Sequence, residues 1–291
     1  MKKKIKTAVG LFINTAILLS ISVMTMGQDN GTKSFMVNEK WATDAIFDVP
    51  ESVCYGPGQQ VLYVANISGK PTEKDGKGFI SKLSLTGEMI NKEWYTGLDA
   101  PKGMGIYDNK LYVTNIDEVV AIDLNSAEEA GRWKCEGAKF ANDIAITANG
   151  DVFISGMQNG AIYRISNGEI TRWKAEKTFQ KPNGLWTGPD YLYVGAAKHI
   201  YRVDYERAEV EKYIENSGGV DGLERIENGF FLKSDWTGHV HVVSPAHPKH
   251  LILNTADQKI NAADIEYIPS MKMMLVPTFF DNRVVAYEIV K

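Results

Sequence analysis

Short runs that alternate apolar and polar positions, or are apolar throughout, recur along the chain with turn residues between them, and helical periodicity is almost missing. Six of these runs open alike: Pro50-Glu51-Ser52-Val53, Pro101-Lys102-Gly103-Met104, Ala141-Asn142-Asp143-Ile144, Pro182-Asn183-Gly184-Leu185, Val220-Asp221-Gly222-Leu223 and Ala262-Ala263-Asp264-Ile265. Their second positions lie 51, 40, 41, 38 and 42 residues apart, the spacing of propeller blades rather than of helical solenoids. After each opening the pattern predicts a second strand rich in β-branched and aromatic residues, at 61–65, 111–114, 152–155, 192–195, 230–233 and 274–277. A third strand is predicted at 79–83, 119–123, 161–165, 200–204, 240–244 and 284–287.

A fourth strand carries Trp94, Trp133, Trp173 and Tyr213 in the first four repeats and Ile252 in the fifth, and these rings are expected to pack between blades. The sixth repeat has no fourth strand after it. Lys40-Trp41-Ala42, ten residues before Glu51, has that pattern instead, so the N-terminal strand is expected to complete the last blade and leave no open sheet edge. The fold class is therefore all-β, a six-bladed β-propeller.

Lys2, Lys3, Lys4 and Lys6 precede an apolar stretch from Ala8 to Met26, the pattern of a secretory signal over residues 1–27, which leaves 28–291 as a single propeller domain. A secreted protein, in a bacterial periplasm, is expected, with no stable membrane insertion after cleavage. Loss of those four lysines takes the net charge from −4 to −8, which disfavours a nucleic-acid partner and leaves a small molecule as the expected one. Cys54 falls inside a first strand and Cys135 on a loop leaving another blade, so two separate thiols are expected.

In a closed ring the second positions, Glu51, Lys102, Asn142, Asn183, Asp221 and Ala263, converge on one funnel. Glu51, Asn142, Asn183 and Asp221 offer oxygen donors that suit a hard divalent cation, calcium first, with magnesium, manganese or zinc as alternatives. Loops on the same face make Asn115, Asp117, Gln158, Trp236, Phe279 and Phe280 candidate pocket walls. Lys102 has two readings. It binds a substrate carboxylate or oxyanion, or it makes a salt bridge that plugs the channel. The glycine-rich loop 69–78 lacks the order of a phosphate-binding loop and is expected to be a lid, and none of the five histidines occupies the second position.

These openings resemble those of the gluconolactonase-like family, which includes regucalcin. The resemblance covers nearly the whole mature chain and implies a six-bladed propeller that opens a lactone or small ester at a metal site. It implies Glu51, Asn183 (before Gly184) and Asp221 (before Gly222) as metal ligands, Asp221 as general base or orienter of the attacking water, and Asn142 (before Asp143) against the substrate; Lys102, from its place in the ring, and Asn115, Trp236 and Phe279, from the loops, are the further substrate-contact candidates. The chain departs from the family's pattern at Ser52-Val53, where Gly-Pro is usual, and at Phe140, where a basic residue is common. Two other readings share the architecture: a non-catalytic propeller that binds a ligand or protein, and a metal-free strictosidine-synthase-like protein.

Overall fold

A computed structural model describes residues 35–227 and 229–291; the expected signal over 1–27 lies outside the described residues. Six four-stranded antiparallel sheets follow one another, each joined to its neighbour in chain order. Blade one comprises β2 (Pro50–Gly56), β3 (Val61–Asn66), β4 (Gly78–Ser84) and β5 (Met89–Leu98), and blade two β6 (Pro101–Tyr107), β7 (Lys110–Asn115), β8 (Glu118–Asp123) and β9 (Glu129–Lys134). Blade three is β10 (Ala141–Ile146), β11 (Val152–Gly156), β12 (Ala161–Ser166) and β13 (Glu169–Lys174), and blade four β14 (Leu185–Thr187), β15 (Tyr191–Gly195), β16 (Ile200–Asp204) and β17 (Val210–Ile214). Blade five is β18 (Leu223–Glu227), β19 (Phe230–Asp235), β20 (His239–Val243) and β21 (His250–Asn254). Blade six contains β22 (Glu266–Ile268), β23 (Met273–Pro277) and β24 (Val284–Val290), and β1 (Met36–Ala42) pairs antiparallel with β24 as its outer strand. The expected closure by the N-terminal strand is thus present, and the described helices are three short 3-10 turns. None of the described helices is long and apolar enough to cross a membrane.

Burial falls from the axis outward. The second strands β3, β11 and β23 are buried at every position, because each lies mid-blade with a neighbouring blade on both faces, and this is why they read as unbroken apolar runs. The outer strand β5 is mostly exposed and β13 has no buried position. Their aromatics cover a second-strand ring of the same blade: Trp94 on Tyr63 at 4.8 Å, Trp173 on Phe153 at 4.9 Å and Tyr213 on Tyr193 at 5.2 Å between centroids. Each pair then joins the apolar cluster against the next blade, as Tyr63 and Trp94 do with Leu111, Val113 and Val120. The expected inter-blade packing holds, with an intra-blade ring pair as its unit. Cys54 and Cys135 are both buried, free thiols.

Candidate functional site

β-bulges interrupt the register of β2, β6 and β10 near Glu51, Lys102 and Asn142. A bulge re-aims side chains, so the second position and the one after it can both turn toward the axis. Hydroxyls on neighbouring strands tie these openings together. Ser52 Oγ donates to the Lys102 carbonyl at 2.7 Å, Thr114 Oγ1 to the Asn142 carbonyl at 2.5 Å, and Ser234 Oγ to the Ala263 carbonyl at 2.7 Å. Gly103 and Gly222 permit the close approach of adjacent blades, since a Cβ at either would lie 2.5 Å from Asp143 Cα or 2.4 Å from Ile265 N.

The second positions do converge, and all six are buried. Asn183 Nδ2 donates to Asp221 Oδ1 at 2.5 Å, which leaves the Asn183 amide oxygen for another partner. Asp221 Oδ2 and Glu51 Oε2 are buried with no hydrogen-bond partner. Burial, with the nearby Asp221 charge added, holds the Glu51 carboxyl well above the usual range, and Lys102 opposes that only in part. Burial likewise pushes Asp221 up to about 7, against the Asn183 hydrogen bond. Two orphaned carboxyl oxygens are costly unless a proton or cation meets them.

Lys102 forms no ion pair with Glu51. Its Nζ donates to the Ala100 carbonyl at 2.8 Å and lies 4.6 Å from the centre of the Phe140 ring, and burial pushes the ammonium down to about 8. The salt bridge of the plugging reading is therefore replaced by a carbonyl and an aromatic face, with Phe140 standing where the resemblance leads one to expect a base. At 1% exposure Lys102 is sealed from any ligand that enters from solvent, so a direct contact with substrate is not available to it in this structure.

The funnel is divided. Over blades six, one and two, Phe279 packs with Ile67, Ala100, Ile116 and Ala263 into an apolar roof, and Glu51 and Lys102 on the first strands of blades one and two are buried. Over blades three to five a cavity of about 180 Å³ remains, with Asn183 and Asp221 at its base, Met157, Ala197 and Val220 in its wall and Trp236 at its rim. Asn142 is buried beside it and reaches Met157 Sδ at 3.5 Å. Phe279 is thus roof rather than wall. Asn115 is no wall either: its Oδ1 accepts from the Asp99 and Ala100 amides at 2.8 and 3.0 Å, and its Nδ2 donates to Glu118 at 3.0 Å, so it shapes the blade-two loop instead of facing a ligand. Asp117 is taken by Lys74 at 2.7 Å and by Lys134, and the first of these pairs pins the loop 69–78 to blade two.

The axis also carries acids outside the expected set. One residue past the second position, Asp143 and Asp264 come from opposite blades and meet in a carboxyl–carboxyl hydrogen bond, which needs a shared proton. Asp143 also accepts from the Ile144 and Leu185 amides, each at 2.6 Å, yet burial still raises its carboxyl to about 7. Two residues further on, Glu224 and Glu266 are raised by burial too, and Glu266 accepts from the Tyr55 amide at 3.1 Å. The same repeat alignment, read one and three residues past the second position, contains all four. Four of the histidines keep to structural contacts, such as His250 Nε2 with the Phe35 carbonyl at 3.0 Å, while His241 Nδ1 is buried without a hydrogen-bond partner.

No protein-family model and no curated protein matches the sequence. Among solved structures the chain is similar to a catalytically inactive virginiamycin B lyase from Staphylococcus aureus with quinupristin, at TM-score 0.61 and 13% identity over 88% of this chain and 100% of that one. A streptogramin B lyase aligns at TM-score 0.64 and 11% identity over 88% and 98%, and a candidate gluconolactonase at 0.63 and 16% over 88% and 93%. At such identities the likeness speaks for architecture, and the chain is a six-bladed β-propeller whose structural neighbours include a lyase and a candidate gluconolactonase.

Proposed function

We propose that the protein is a secreted, metal-dependent hydrolase that opens a lactone or small ester in the cavity over Asp221. The observation that carries this reading is the pair of partnerless buried oxygens, Glu51 Oε2 and Asp221 Oδ2, beside an Asn183 amide oxygen that is also free. The donor set fits a hard divalent ion. Among the described residues no three acidic, histidine or cysteine side chains form a cage, so Asn183 supplies the third donor and water or substrate the rest. A divalent ion held there would polarise a carbonyl oxygen and acidify water.

Asp221 lines the cavity and is the general base. Its Oδ2 takes a proton from water as the water oxygen bonds to the carbonyl carbon; the ring C–O bond then breaks, the departing oxygen takes the proton, and a hydroxy acid leaves. Asn183 orients the carboxyl through the 2.5 Å hydrogen bond. Lys102 acts on Glu51 only as a nearby positive charge that lowers its raised carboxyl in part. The structural neighbours include a candidate gluconolactonase, in keeping with this chemistry.

A second reading has its own observation: Glu51 is buried and does not line the cavity that Asp221 opens onto, which suits a propeller that binds a ligand without turning it over. Metal analysis of the purified protein distinguishes the two. The hydrolase reading expects one divalent ion per chain, lost in Glu51→Ala and in Asp221→Ala, with lactone hydrolysis abolished by chelation. A metal-free wild type, or a metal-loaded protein inert on a broad lactone and ester panel, overturns it.

A further inference from the structure

The cavity offers a ligand few hydrogen bonds. Its volume of about 180 Å³ is small for a ligand pocket and suits a small ring, with any large substituent left at the mouth. Asp235 lines it but is already committed: Oδ1 accepts from Thr237 Oγ1 at 2.5 Å and the Thr237 amide at 3.1 Å, with the His239 ring at 3.2 Å, and Oδ2 faces Lys233 at 3.8 Å. Asn183 is engaged with Asp221. Beyond the metal-binding oxygens, Lys181 is the one charged donor left in the wall. A polyhydroxylated ring would have to give up several hydrogen bonds to water here without replacement.

The rim is of the opposite character. Trp236 and Phe280 are 45% and 64% exposed, with ring centroids 5.8 Å apart and nearly perpendicular, and Phe279 touches both at 5.5 and 4.8 Å. Phe279 has a φ of +51°, left-handed backbone that a bulky side chain rarely adopts. That conformation sets Phe279 down into the roof while its neighbour Phe280 stands out in solvent. The result is an aromatic corner continuous, through Trp236, with the cavity above Asp221.

We propose that the substrate is a lactone or ester bearing an apolar, aryl or alkyl substituent, with the reacting ring in the cavity and the substituent against Trp236 and Phe280. This deepens the hydrolase reading and rests on it for turnover, but not for binding. Three probes test it on the metal-loaded protein: γ-phenyl-γ-butyrolactone, γ-butyrolactone and glucono-δ-lactone, assayed for hydrolysis and, independently, for the shift each gives in thermal melting. A ring stacked on an aromatic corner adds enough affinity for about a tenfold lower KM. The phenyl probe is therefore expected to have the lowest KM, by about tenfold over γ-butyrolactone. That ratio should fall toward one in Trp236→Ala and in Phe280→Ala and be kept in Trp236→Phe; Phe280 is exposed, so its variants keep the fold.

If the phenyl probe shifts the melting of wild type but not of Trp236→Ala while no lactone is hydrolysed, the aromatic corner stands and the hydrolase reading falls. If glucono-δ-lactone is hydrolysed with the lowest KM, the hydrolase reading stands and the corner is refuted. If Phe280→Ser changes the sedimentation mass and leaves the phenyl-probe shift intact, the corner is instead an interface between copies of this chain, and the proposal is overturned.

Discussion

Asp264→Asn isolates the shared proton on the axis. In the metal-free protein, Asp143 and Asp264 stay in contact only while a proton lies between them, whereas the unfolded chain releases it near pH 4. The native form therefore binds more protons than the unfolded one between about pH 4 and 7, and stability that is full in acid is lost as pH rises through the folded value. For Asp143 the rise from 3.8 to about 7 corresponds to about 4 kcal/mol at about 1.4 kcal/mol per unit. The Asp264 residue is partly buried and its carboxyl interacts with that of Asp143, so the two acids share the shift and about half of that, ~2 kcal/mol, is the expected share. An asparagine at 264 has nearly the same shape and donates an N–H to an ionised Asp143, so no proton has to be held. Urea unfolding in chelator, from pH 5 to pH 8, should show the variant equal to wild type within about 1 kcal/mol at pH 5 and more stable by ~2 kcal/mol at pH 8, a melting difference of roughly 4 to 8 °C. Parallel pH profiles for the two proteins, or a variant weaker at pH 8, would refute the shared proton.

Replacing Asn115 with Ala should destabilise the protein by about 1–3 kcal/mol in urea, because it strands the buried Ala100 amide and the half-buried Asp99 amide, while KM for a lactone stays as in wild type. Lys102→Met removes a positive charge that acts on Glu51, and calorimetry should find divalent-ion binding tightened by about tenfold or less, on the scale of one screened charge at an effective dielectric near 20; weaker binding would mean that Lys102 organises the site. With Asp221 as the base, kcat/KM should fall as pH drops through about 7 or, with a metal lowering that value, through a lower pH, and Asp221→Asn should abolish the activity altogether; a pH-independent rate would exclude that role.

The blade count and most strand positions were legible because a strand in a propeller is buried by its neighbours in the ring, so each repeat must present the same apolar pattern to the same surroundings. The closure by Lys40-Trp41-Ala42 followed from a missing fourth strand, and the pairing of β1 with β24 matches it. Glu51, Asn183 and Asp221 were legible for the same reason: a shared place in the repeat becomes a shared place around the axis. Asp143 and Asp264 share their own place in the repeat, yet their contact depends on two blades facing each other across a narrow hole, a distance that spacing along the chain does not contain.

Sequence alone therefore determined the ring and the chemical types gathered at its centre, since both follow from periodicity. Only the tertiary structure decided who is open to solvent. Phe279 and Ile116 lie outside the repeated openings, in loops whose paths no period dictates, and they pack on Ala263 over one side of the ring while Asp221, on the other side, lines a cavity. Asn115 carries the same lesson in reverse: a polar side chain on the expected face is consumed by two backbone amides of its own blade, because buried N–H groups take the nearest acceptor before any ligand can.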